Sequence, residues 1–205
     1  MIEVEGLTKR YGDKLAVDGL RFRVEPGTVT GFLGPNGAGK TTTLRILLGL
    51  VRPSAGTATV LGRPYRELDE PSRRVGAVLE SSHIHPGRSG RNHLRVLAAA
   101  ASIPETRVDE VLELVELGSV GRKRTKTYSL GMRQRLGLAV ALLGDPDVLV
   151  LDEPANGLDP QGIRWLRELL RAQAAAGKTV LLSSHVLSEM EQTADEVVII
   201  HRGRF

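Results

Sequence analysis

Short apolar runs alternate along this chain with longer stretches of helical periodicity. Val29–Leu33, Val148–Leu151 and Thr179–Ser184 consist almost wholly of apolar or small residues, which is typical of strands covered on both faces. Between the last two runs, a stretch from Pro160 to Gly177 has a proline at its start and a glycine at its end, which predicts a helix. Strands that alternate with helices predict a parallel sheet.

The N-terminal part of the chain predicts a different arrangement. Ile2–Leu7 and Leu20–Val24 have the composition of strands and lie on either side of a turn at Tyr11–Lys14, and Pro26-Gly27 marks another turn. We therefore expect an antiparallel β layer beside the parallel sheet. Two further short strands are expected later in the chain, at Thr57–Leu61 and Arg74–Leu79.

Helical spacing dominates the middle of the chain. Apolar residues recur at helical intervals in Asn92–Ala101 and again in Val108–Leu117. These stretches predict a block of helices inserted between the strands. The expected organisation is one domain, in which residues 1–85 and 145–205 form the core and residues 86–144 form a helical subdomain.

A glycine-rich segment, GPNGAGKT, lies between the first apolar run and a helix predicted from Lys40 to about Leu50. This order of strand, loop and helix is the P-loop pattern. Glycines let consecutive backbone N–H groups turn towards an anion, and the helix N-terminus adds its dipole. Lys40 is expected to reach the terminal phosphates, and Thr41 to offer its hydroxyl to Mg²⁺. The expected phosphate-binding residues are Gly34, Pro35, Asn36, Gly37, Ala38, Gly39, Lys40, Thr41 and Thr42.

These patterns together predict an α/β protein with the P-loop NTPase fold. The fold would have a mostly parallel central sheet, an N-terminal antiparallel β layer and an inserted helical subdomain. The alternative interpretation of the glycine-rich segment is a turn before a core helix, but strand, loop and helix occur in the order that phosphate binding requires.

The carboxyl ends of two other predicted parallel strands also carry polar residues. Asp152 and Glu153 follow the second apolar run, and His185 follows the third; in doubly wound sheets, ligands lie beyond these ends. Asp152 is suited to orient Mg²⁺ through its water shell, and Glu153 to polarise the attacking water. His185 can hydrogen-bond the terminal phosphate or that water, or alternatively cap the next helix. The catalytic candidates are Glu153, His185 and Lys40.

Composition narrows the class of protein. The chain has 205 residues, of which 41% are hydrophobic, enough for one domain with a full core. It has no cysteine, no apolar run long enough to cross a membrane and no signal-peptide pattern, so we expect a cytoplasmic protein. The net charge is +4, but the basic residues are scattered and only GRKRTK at 121–126 forms a cluster. Nucleic acid is therefore not an expected partner.

Three more segments complete a resemblance to the nucleotide-binding subunits of ABC transporters, which extends from Ile2 to Arg204. YSLGMRQR at 128–135 lies where that family has its signature motif, NGLDP at 156–160 matches its D-loop, and SSH ending at His185 matches its switch histidine. The resemblance implies that ATP is the nucleotide and that Tyr11 stacks on adenine. A tyrosine of the core is the alternative for Tyr11.

The same resemblance implies a homodimer in the ATP-bound state. Ser129 can donate its hydroxyl, and the Gly131 N–H lies at the start of a helix predicted from Met132 to Leu143, which makes a second anion site. In the family this motif faces away from the P-loop of its own chain, so two copies arranged head to tail would bury two nucleotides. Asp159 of the D-loop-like segment is counted among the nucleotide-binding residues. A membrane permease is the other implied partner, with Glu80 to Arg91 as its contact.

Two positions depart from the usual pattern of the family. Glu80 stands where the family usually has glutamine, and the usual LSGGQ is YSLGM here. A carboxylate at position 80 can touch Mg²⁺-bound water but cannot donate as an amide does, so Glu80 joins Thr41 and Asp152 as a metal candidate. Both departures resemble the drug and peptide-antibiotic exporters of bacteria, including the daunorubicin and bacitracin resistance types. Members of that subgroup usually continue for longer, so a chain shortened after Phe205 is expected.

The function implied is an ATPase at the inner face of the cell membrane that powers export of a drug, antibiotic or related hydrophobic compound through a separate permease. One alternative is a chromosome or repair ATPase of the same fold, although the interval between the two nucleotide motifs contains no heptad run. Another is a regulatory module without turnover, which would have a non-acidic residue in place of Glu153. An ABC subunit for a different substrate is a third, because the transported molecule is determined by the permease.

Overall fold

The computed structural model describes residues 1–79 and 84–205, and the first of its two β-sheets is antiparallel. Its strand order is β2-β1-β4, with β1 at Ile2–Tyr11, β2 at Lys14–Val24 and β4 at Ala55–Val60. The predicted antiparallel layer is therefore confirmed, but β1 and β2 are longer than predicted. Register shifts near Gly6 and Gly19, which have φ of 57° and 64°, interrupt the alternation of apolar and polar residues. The sequence pattern therefore does not show the full length of β1 and β2.

The second sheet has five strands, and all four of its pairings are parallel. In spatial order the strands are β5 (Val75–Val78), β6 (Val148–Asp152), β7 (Thr179–Ser184), β3 (Val29–Leu33) and β8 (Glu196–Ile199). Every residue of β3, β6 and β7 is buried, as the apolar runs predict. Strand β8 was not predicted, because it is a short strand at the edge of the sheet whose residues are mostly exposed.

Seven α-helices lie within the described ranges. They are α1 (Lys40–Leu47), α2 (Pro71–Arg74), α3 (Gly90–Ala100), α4 (Thr106–Leu114), α5 (Leu130–Leu142), α6 (Pro160–Ala175) and α7 (Leu187–Thr193). The prediction of a start at Met132 for α5 was wrong by two residues, because the Ser129 hydroxyl accepts a hydrogen bond from Met132 N and so caps the helix. Asp159 caps α6 in the same way, by accepting a hydrogen bond from Gly162 N.

Two hydrophobic clusters hold these layers together. One lies between the antiparallel sheet, α1 and one face of the parallel sheet, with Phe22 and Phe32 stacked at a centroid distance of 5.3 Å. The other joins α3, α4 and α5 to the opposite face and includes Leu94, Leu136 and Leu149. Because the helices and the sheet share tightly packed cores, the carboxyl ends of β3, β6 and β7 are held in fixed positions relative to the helices.

Candidate functional site

At two positions of the glycine-rich loop after β3, a side chain would collide with a backbone oxygen. Gly39 has a φ of 109°, and a Cβ added to it would lie 2.5 Å from the carbonyl oxygen of Ala16. A Cβ on Gly34 would lie 2.3 Å from the carbonyl oxygen of Ile200. A side chain at either position would push the loop away from its neighbours. The loop is therefore held tightly against the strands behind it.

The start of α1 leaves its first N–H groups available. Its N-cap is Gly39, and within the described residues no side chain caps the helix, which also has no acidic residue in its first turn. These N–H groups face a cleft of about 290 Å³. The cleft is lined by Tyr11, Lys14, Ala16, Pro35, Asn36, Gly37, Gly39, Lys40, Thr41, Thr42 and Glu153. Uncapped N–H groups, the positive end of a helix dipole and two lysines suit an anionic ligand.

Lys40 is held at the bottom of this cleft with only 6% of its surface exposed. Its ammonium donates to the carbonyl oxygen of Gly34 at 2.6 Å and lies 3.3 Å from a carboxylate oxygen of Glu153. A buried ammonium needs such partners. These two contacts hold the Lys40 ammonium beside the loop, where phosphate oxygens can replace one of its present hydrogen-bond partners.

Asp152 lies at the end of β6 next to the start of α1. One of its carboxylate oxygens accepts a hydrogen bond from the Thr41 hydroxyl at 2.7 Å, and the other accepts one from the Ser183 hydroxyl on β7. The Ser183 oxygen in turn accepts from Glu153 N at 3.0 Å. The structure thus brings together Thr41 and Asp152, which the sequence analysis predicted as metal ligands. Ser183 was missed there, since a serine at the end of a buried strand gives no signal of its own.

These residues fit a magnesium ion that keeps part of its water shell. Mg²⁺ is usually bound by one or two carboxylates, by substrate phosphates and by water, and Asp152 with Thr41 supplies one carboxylate and one hydroxyl. Among the described residues, no group of three or more histidine, aspartate or glutamate side chains could enclose a metal ion. The third candidate, Glu80, lies outside the described residues.

Glu153 stands where the cleft meets His185. It has a φ of 49°, which is uncommon for a residue other than glycine. His185 Nδ1 lies 2.9 Å from one Glu153 carboxylate oxygen, while Lys40 approaches the other. In the described part of the chain, α7 has no side-chain capping hydrogen bond, so His185 contacts Glu153 rather than capping that helix. Lys40 and His185 therefore both contact Glu153.

Tyr11 lies at the rim of the cleft. It is the last residue of β1, and 48% of its surface is exposed. The Lys9 ammonium lies 4.8 Å from the centre of its ring. A tyrosine of the core would be buried, so the core alternative for Tyr11 does not describe its position. Its ring is free to present one face to a planar ligand.

Five predicted nucleotide-binding residues do not line this cleft. Gly34 and Ala38 belong to the glycine-rich loop itself, whereas Ser129, Gly131 and Asp159 lie elsewhere. Ser129 and Asp159 cap α5 and α6, with hydrogen bonds of 3.2 and 2.8 Å to Met132 N and Gly162 N. Gly131 lies in the first turn of α5, and a Cβ on it would lie 3.3 Å from the carbonyl oxygen of Gly157.

The starts of α5 and α6 thus lie together, away from the cleft of the same chain. Gln134, a buried residue missed by the sequence analysis, links α5 to the segment after β6 by donating to the carbonyl oxygen of Pro154 at 2.9 Å.

No helix in the described ranges combines the length and the apolar character needed to cross a bilayer.

Relatives with assigned names match nearly the whole chain. The bacitracin transport ATP-binding protein of Bacillus licheniformis is 44% identical over 207 residues, which cover 100% of this chain and 68% of the relative. The lantibiotic transport ATP-binding protein of Streptococcus pyogenes is 36% identical over 204 residues, which cover 100% of this chain and 88% of the relative. The Nod factor export ATP-binding protein I of Burkholderia pseudomallei is 44% identical, with 99% and 68% covered.

Solved structures confirm the predicted fold class. An ATP-binding subunit of an ABC transporter has a TM-score of 0.89 and 30% identity, with 100% of this chain and 87% of that chain covered. A dimeric bacterial ABC transporter cassette also has a TM-score of 0.89; at 22% identity it shows the fold alone. The family profile described as ABC transporter matches residues 17–156. With these matches, the resemblance seen in the motifs is confirmed, and this chain belongs to the ABC transporter family.

Proposed function

We propose that this chain is the ATP-binding and ATP-hydrolysing subunit of an exporter. The observation that carries the proposal is the meeting of Lys40, Thr41, Asp152, Glu153 and His185 at the carboxyl edge of the parallel sheet, beside an uncapped helix start. The names of the relatives support it, since they are ATP-binding proteins for bacitracin transport, lantibiotic transport and Nod factor export. They give no support to a chromosome or repair ATPase.

The cleft would bind ATP by its phosphates and its base. Backbone N–H groups of Gly34–Thr42 and the Lys40 ammonium would hold the phosphates. Tyr11 at the rim would stack on the adenine. Thr41 and Asp152 would hold Mg²⁺, which neutralises charge on the terminal phosphates when bound.

Hydrolysis would depend on the carboxylate of Glu153. Its backbone is fixed by the hydrogen bond to Ser183, and its side chain is oriented by His185 and Lys40. A carboxylate held in this way can accept a proton from a water molecule that attacks the terminal phosphorus. Once the terminal phosphate of ATP replaces part of their contact with Glu153, Lys40 and His185 would stabilise the negative charge that develops on the transferred phosphoryl group.

The second half of each site would come from another copy of the chain. Ser129 and Gly131 lie outside the cleft at the start of α5, where a hydroxyl hydrogen and backbone N–H groups suit an anion, and Asp159 lies beside them at the start of α6. Two copies arranged head to tail would bring these groups to each other's nucleotide. ATP binding would then close the homodimer and hydrolysis would open it.

Export requires a membrane partner. We propose an integral-membrane permease that contacts the described residues 84–91 and holds this chain at the cytoplasmic face of the membrane, with residues 86–144 acting as a helical subdomain. The substrate would belong to the drugs, antibiotics or related hydrophobic compounds, by analogy with the bacitracin and lantibiotic relatives. A gene for a six-span permease beside this one supports export, whereas a gene for a periplasmic binding protein favours import.

The role of Glu153 is tested by Glu153→Gln, with Glu168→Gln on an exposed turn of α6 as the control. Removing a general base lowers the rate about 100-fold or more, while the amide keeps the shape needed for binding. We therefore expect phosphate release to fall by about that factor in Glu153→Gln, with binding of a fluorescent ATP analogue within about threefold of the original chain. Unchanged turnover in Glu153→Gln removes Glu153 from its assigned role, and loss of turnover in the control shows a defect unrelated to the site.

A further inference from the structure

The positive charge of this chain is concentrated in one part of it. The helical block, which we define as residues 84–144, contains ten lysines and arginines and five aspartates and glutamates, a net charge of +5. The whole chain has 28 basic and 24 acidic residues, so the rest carries 18 and 19 and has a net charge of −1. A charge imbalance confined to one region creates a local potential that attracts an oppositely charged partner.

Ion pairs within the helical block neutralise only part of this charge. All five acidic residues lie at 105–116, on or beside α4. Four of them pair with arginines: Arg91 with Asp109 at 2.6 Å, Arg95 with Glu105 at 2.8 Å, Arg107 with Glu110 at 2.8 Å and Arg135 with Glu116 at 2.6 Å.

The remaining basic side chains of the block form no ion pair within 4.0 Å, as far as residues 1–79 and 84–205 show. They are Arg88, Arg122, Lys123, Arg124, Lys126 and Arg133.

Five of these unpaired residues lie on two segments that run side by side. Thr125 N donates to the carbonyl oxygen of Arg88 at 2.9 Å, Lys126 N donates to that of Pro86 at 3.2 Å, and Ser89 forms an antiparallel bridge with Arg124. We call this surface the basic ridge. It consists of the exposed residues Arg88, Arg122, Lys123, Arg124 and Lys126.

One buried histidine lies near enough to the ridge to be affected by the charge of Arg88. His93 on α3 is 9% exposed, and its Nδ1 has no hydrogen-bond partner in the described part of the chain. Burial lowers the pKa of His93, and the positive charge of Arg88 and His85 lowers it further. Among the described residues, Arg88 of the ridge thus contributes positive potential at His93, although burial is the larger cause of the lowered pKa.

We propose that the basic ridge docks onto an anionic membrane surface through lipid phosphates. Arg122, Lys123, Arg124 and Lys126 would contact the lipid, and Arg88 would lie at the border with the segment that contacts the permease. The inference rests on the proposed function, because a subunit that works with a permease stays next to a bilayer. Clusters of about four to eight lysines and arginines bind anionic lipids, each contributing a small share. Tyr128 is the one aromatic residue of the helical block and is only 2% exposed, so the ridge lacks the exposed rings on which single-stranded nucleic acid stacks.

Vesicle binding tests this proposal. The full chain is mixed with vesicles of phosphatidylcholine alone, or with about one third phosphatidylglycerol, at about 0.1 M salt and millimolar lipid. We expect partition onto the anionic vesicles only, and its loss at about 0.5 M salt. Reversing three charges in Lys123→Glu/Arg124→Glu/Lys126→Glu should lower the partition coefficient by about 100-fold or more.

A matched control carries the same change of net charge elsewhere. Arg21→Glu/Arg52→Glu/Arg164→Glu reverses three exposed arginines outside the helical block, and partition should stay within about threefold of the original, because charges beyond about 10 Å are screened. Equal loss in both triple variants, or equal partition on neutral and anionic vesicles, overturns the proposal. So does ridge-dependent binding of duplex DNA that is tighter than vesicle binding, since the partner would then be nucleic acid.

Two measurements keep this result separate from folding and from the proposed function. Circular dichroism checks the fold, and Lys123→Gln/Arg124→Gln/Lys126→Gln, which introduces no new charge, should still lose about 100-fold in partition. ATP binding is measured on the same samples and should not change in any of the three triple variants. If no sample binds ATP, the proposed function fails while the vesicle result still decides whether the ridge binds lipid.

Discussion

The starts of α1 and α5 are built alike, yet only one of them is left open. Both helices follow a turn and begin near a glycine. At α1 the N-cap is Gly39, and among the described residues no side chain reaches the first N–H groups. At α5 the hydroxyl of Ser129 accepts a hydrogen bond from Met132 N. A capping side chain accepts a hydrogen bond from one of the first N–H groups of a helix, whereas at an uncapped start these N–H groups need another acceptor, such as water or a ligand. The uncapped N–H groups of α1 are therefore available to the phosphates that we propose bind there.

The side chains around the two helix starts differ in the same way. At α1, Lys40 contacts Glu153, and Thr41 contacts Asp152, so that groups from two different strands hold the cleft in shape. At α5, Leu130 is 58% exposed and packs against the loop at Gly157. The cleft is thus formed within one chain, while the start of α5 presents an exposed surface beside Ser129. This difference is the structural reason for assigning the two regions to one nucleotide site shared by two copies.

The largest effect is expected from a substitution that closes the open helix start. Gly39→Ala places a methyl group 2.5 Å from the carbonyl oxygen of Ala16 at a φ of 109°. Backbone strain of this kind costs about 1–3 kcal/mol, and a main-chain oxygen cannot move aside. A loop displaced by about 1 Å loses on the order of 100-fold in function. We expect a stability loss of roughly 3 kcal/mol, measured by urea unfolding, and ATP affinity reduced about 100-fold.

Gly177→Ala is the matched control for this substitution. Gly177 has a φ of 85°, but nothing lies within 4 Å of an added Cβ, so only the backbone strain of about 1 kcal/mol remains. ATP affinity should not change. If Gly39→Ala binds ATP as well as the control does, the tight position of the loop is irrelevant to binding and the contrast between the two helix starts fails.

Much of the cleft could be predicted because its chemistry follows strand ends. The runs before Gly34, Asp152 and His185 are continuous and apolar, and a parallel sheet brings its carboxyl ends to one edge. The strands β3 and β7 consequently match the predicted residues. Asp152 and Glu153 are adjacent at the end of such a run, so both could be predicted as site residues from the sequence.

Contacts between distant segments could not be predicted in this way. The hydrogen bond of Ser183 to Asp152 depends on the register of β6 against β7, which no local pattern states. The contact of His185 with Glu153 depends on where each loop leaves its strand. The packing of Leu130 on Gly157 joins the first residue of α5 to a loop that lies far from it in the sequence. In each case the sequence supplied the residue, and tertiary packing supplied its partner.

A smaller effect is expected where the two regions are joined. Gly157 has a φ of 80°, and a Cβ on it would lie 2.5 Å from the Leu130 side chain. Gly157→Ala should therefore lower stability by about 2 kcal/mol, part from backbone strain and part from this clash.

In the background of Leu130→Ala the clash is removed and about 1 kcal/mol should remain, a coupling that urea unfolding of the four proteins measures. Additive effects would show that Leu130 and Gly157 are independent, and would separate α5 from the loop that follows Glu153.

The smallest change in stability is expected at the cap of α5. Ser129→Ala removes a hydrogen bond of 3.2 Å to Met132 N, and Ser89→Ala removes one of 3.2 Å to Asn92 N at the start of α3. Both variants should lose about 1 kcal/mol of stability, measured by urea unfolding. The matched caps make the comparison sharp, because only Ser129 is assigned to a nucleotide bound by another copy. A lost hydrogen bond to a charged group lowers affinity by about tenfold or more.

We therefore expect ATP-dependent dimer formation and turnover to fall by about that factor in Ser129→Ala and to change little in Ser89→Ala. Dimer formation is followed by light scattering with Mg·ATP in the Glu153→Gln background, where hydrolysis does not dissolve the complex. Because the two variants lose similar stability, a drop in both would trace to folding rather than to the nucleotide. Equal dimer formation in both would leave the hydroxyl of Ser129 as a cap alone, and the second half of the site would have to lie elsewhere.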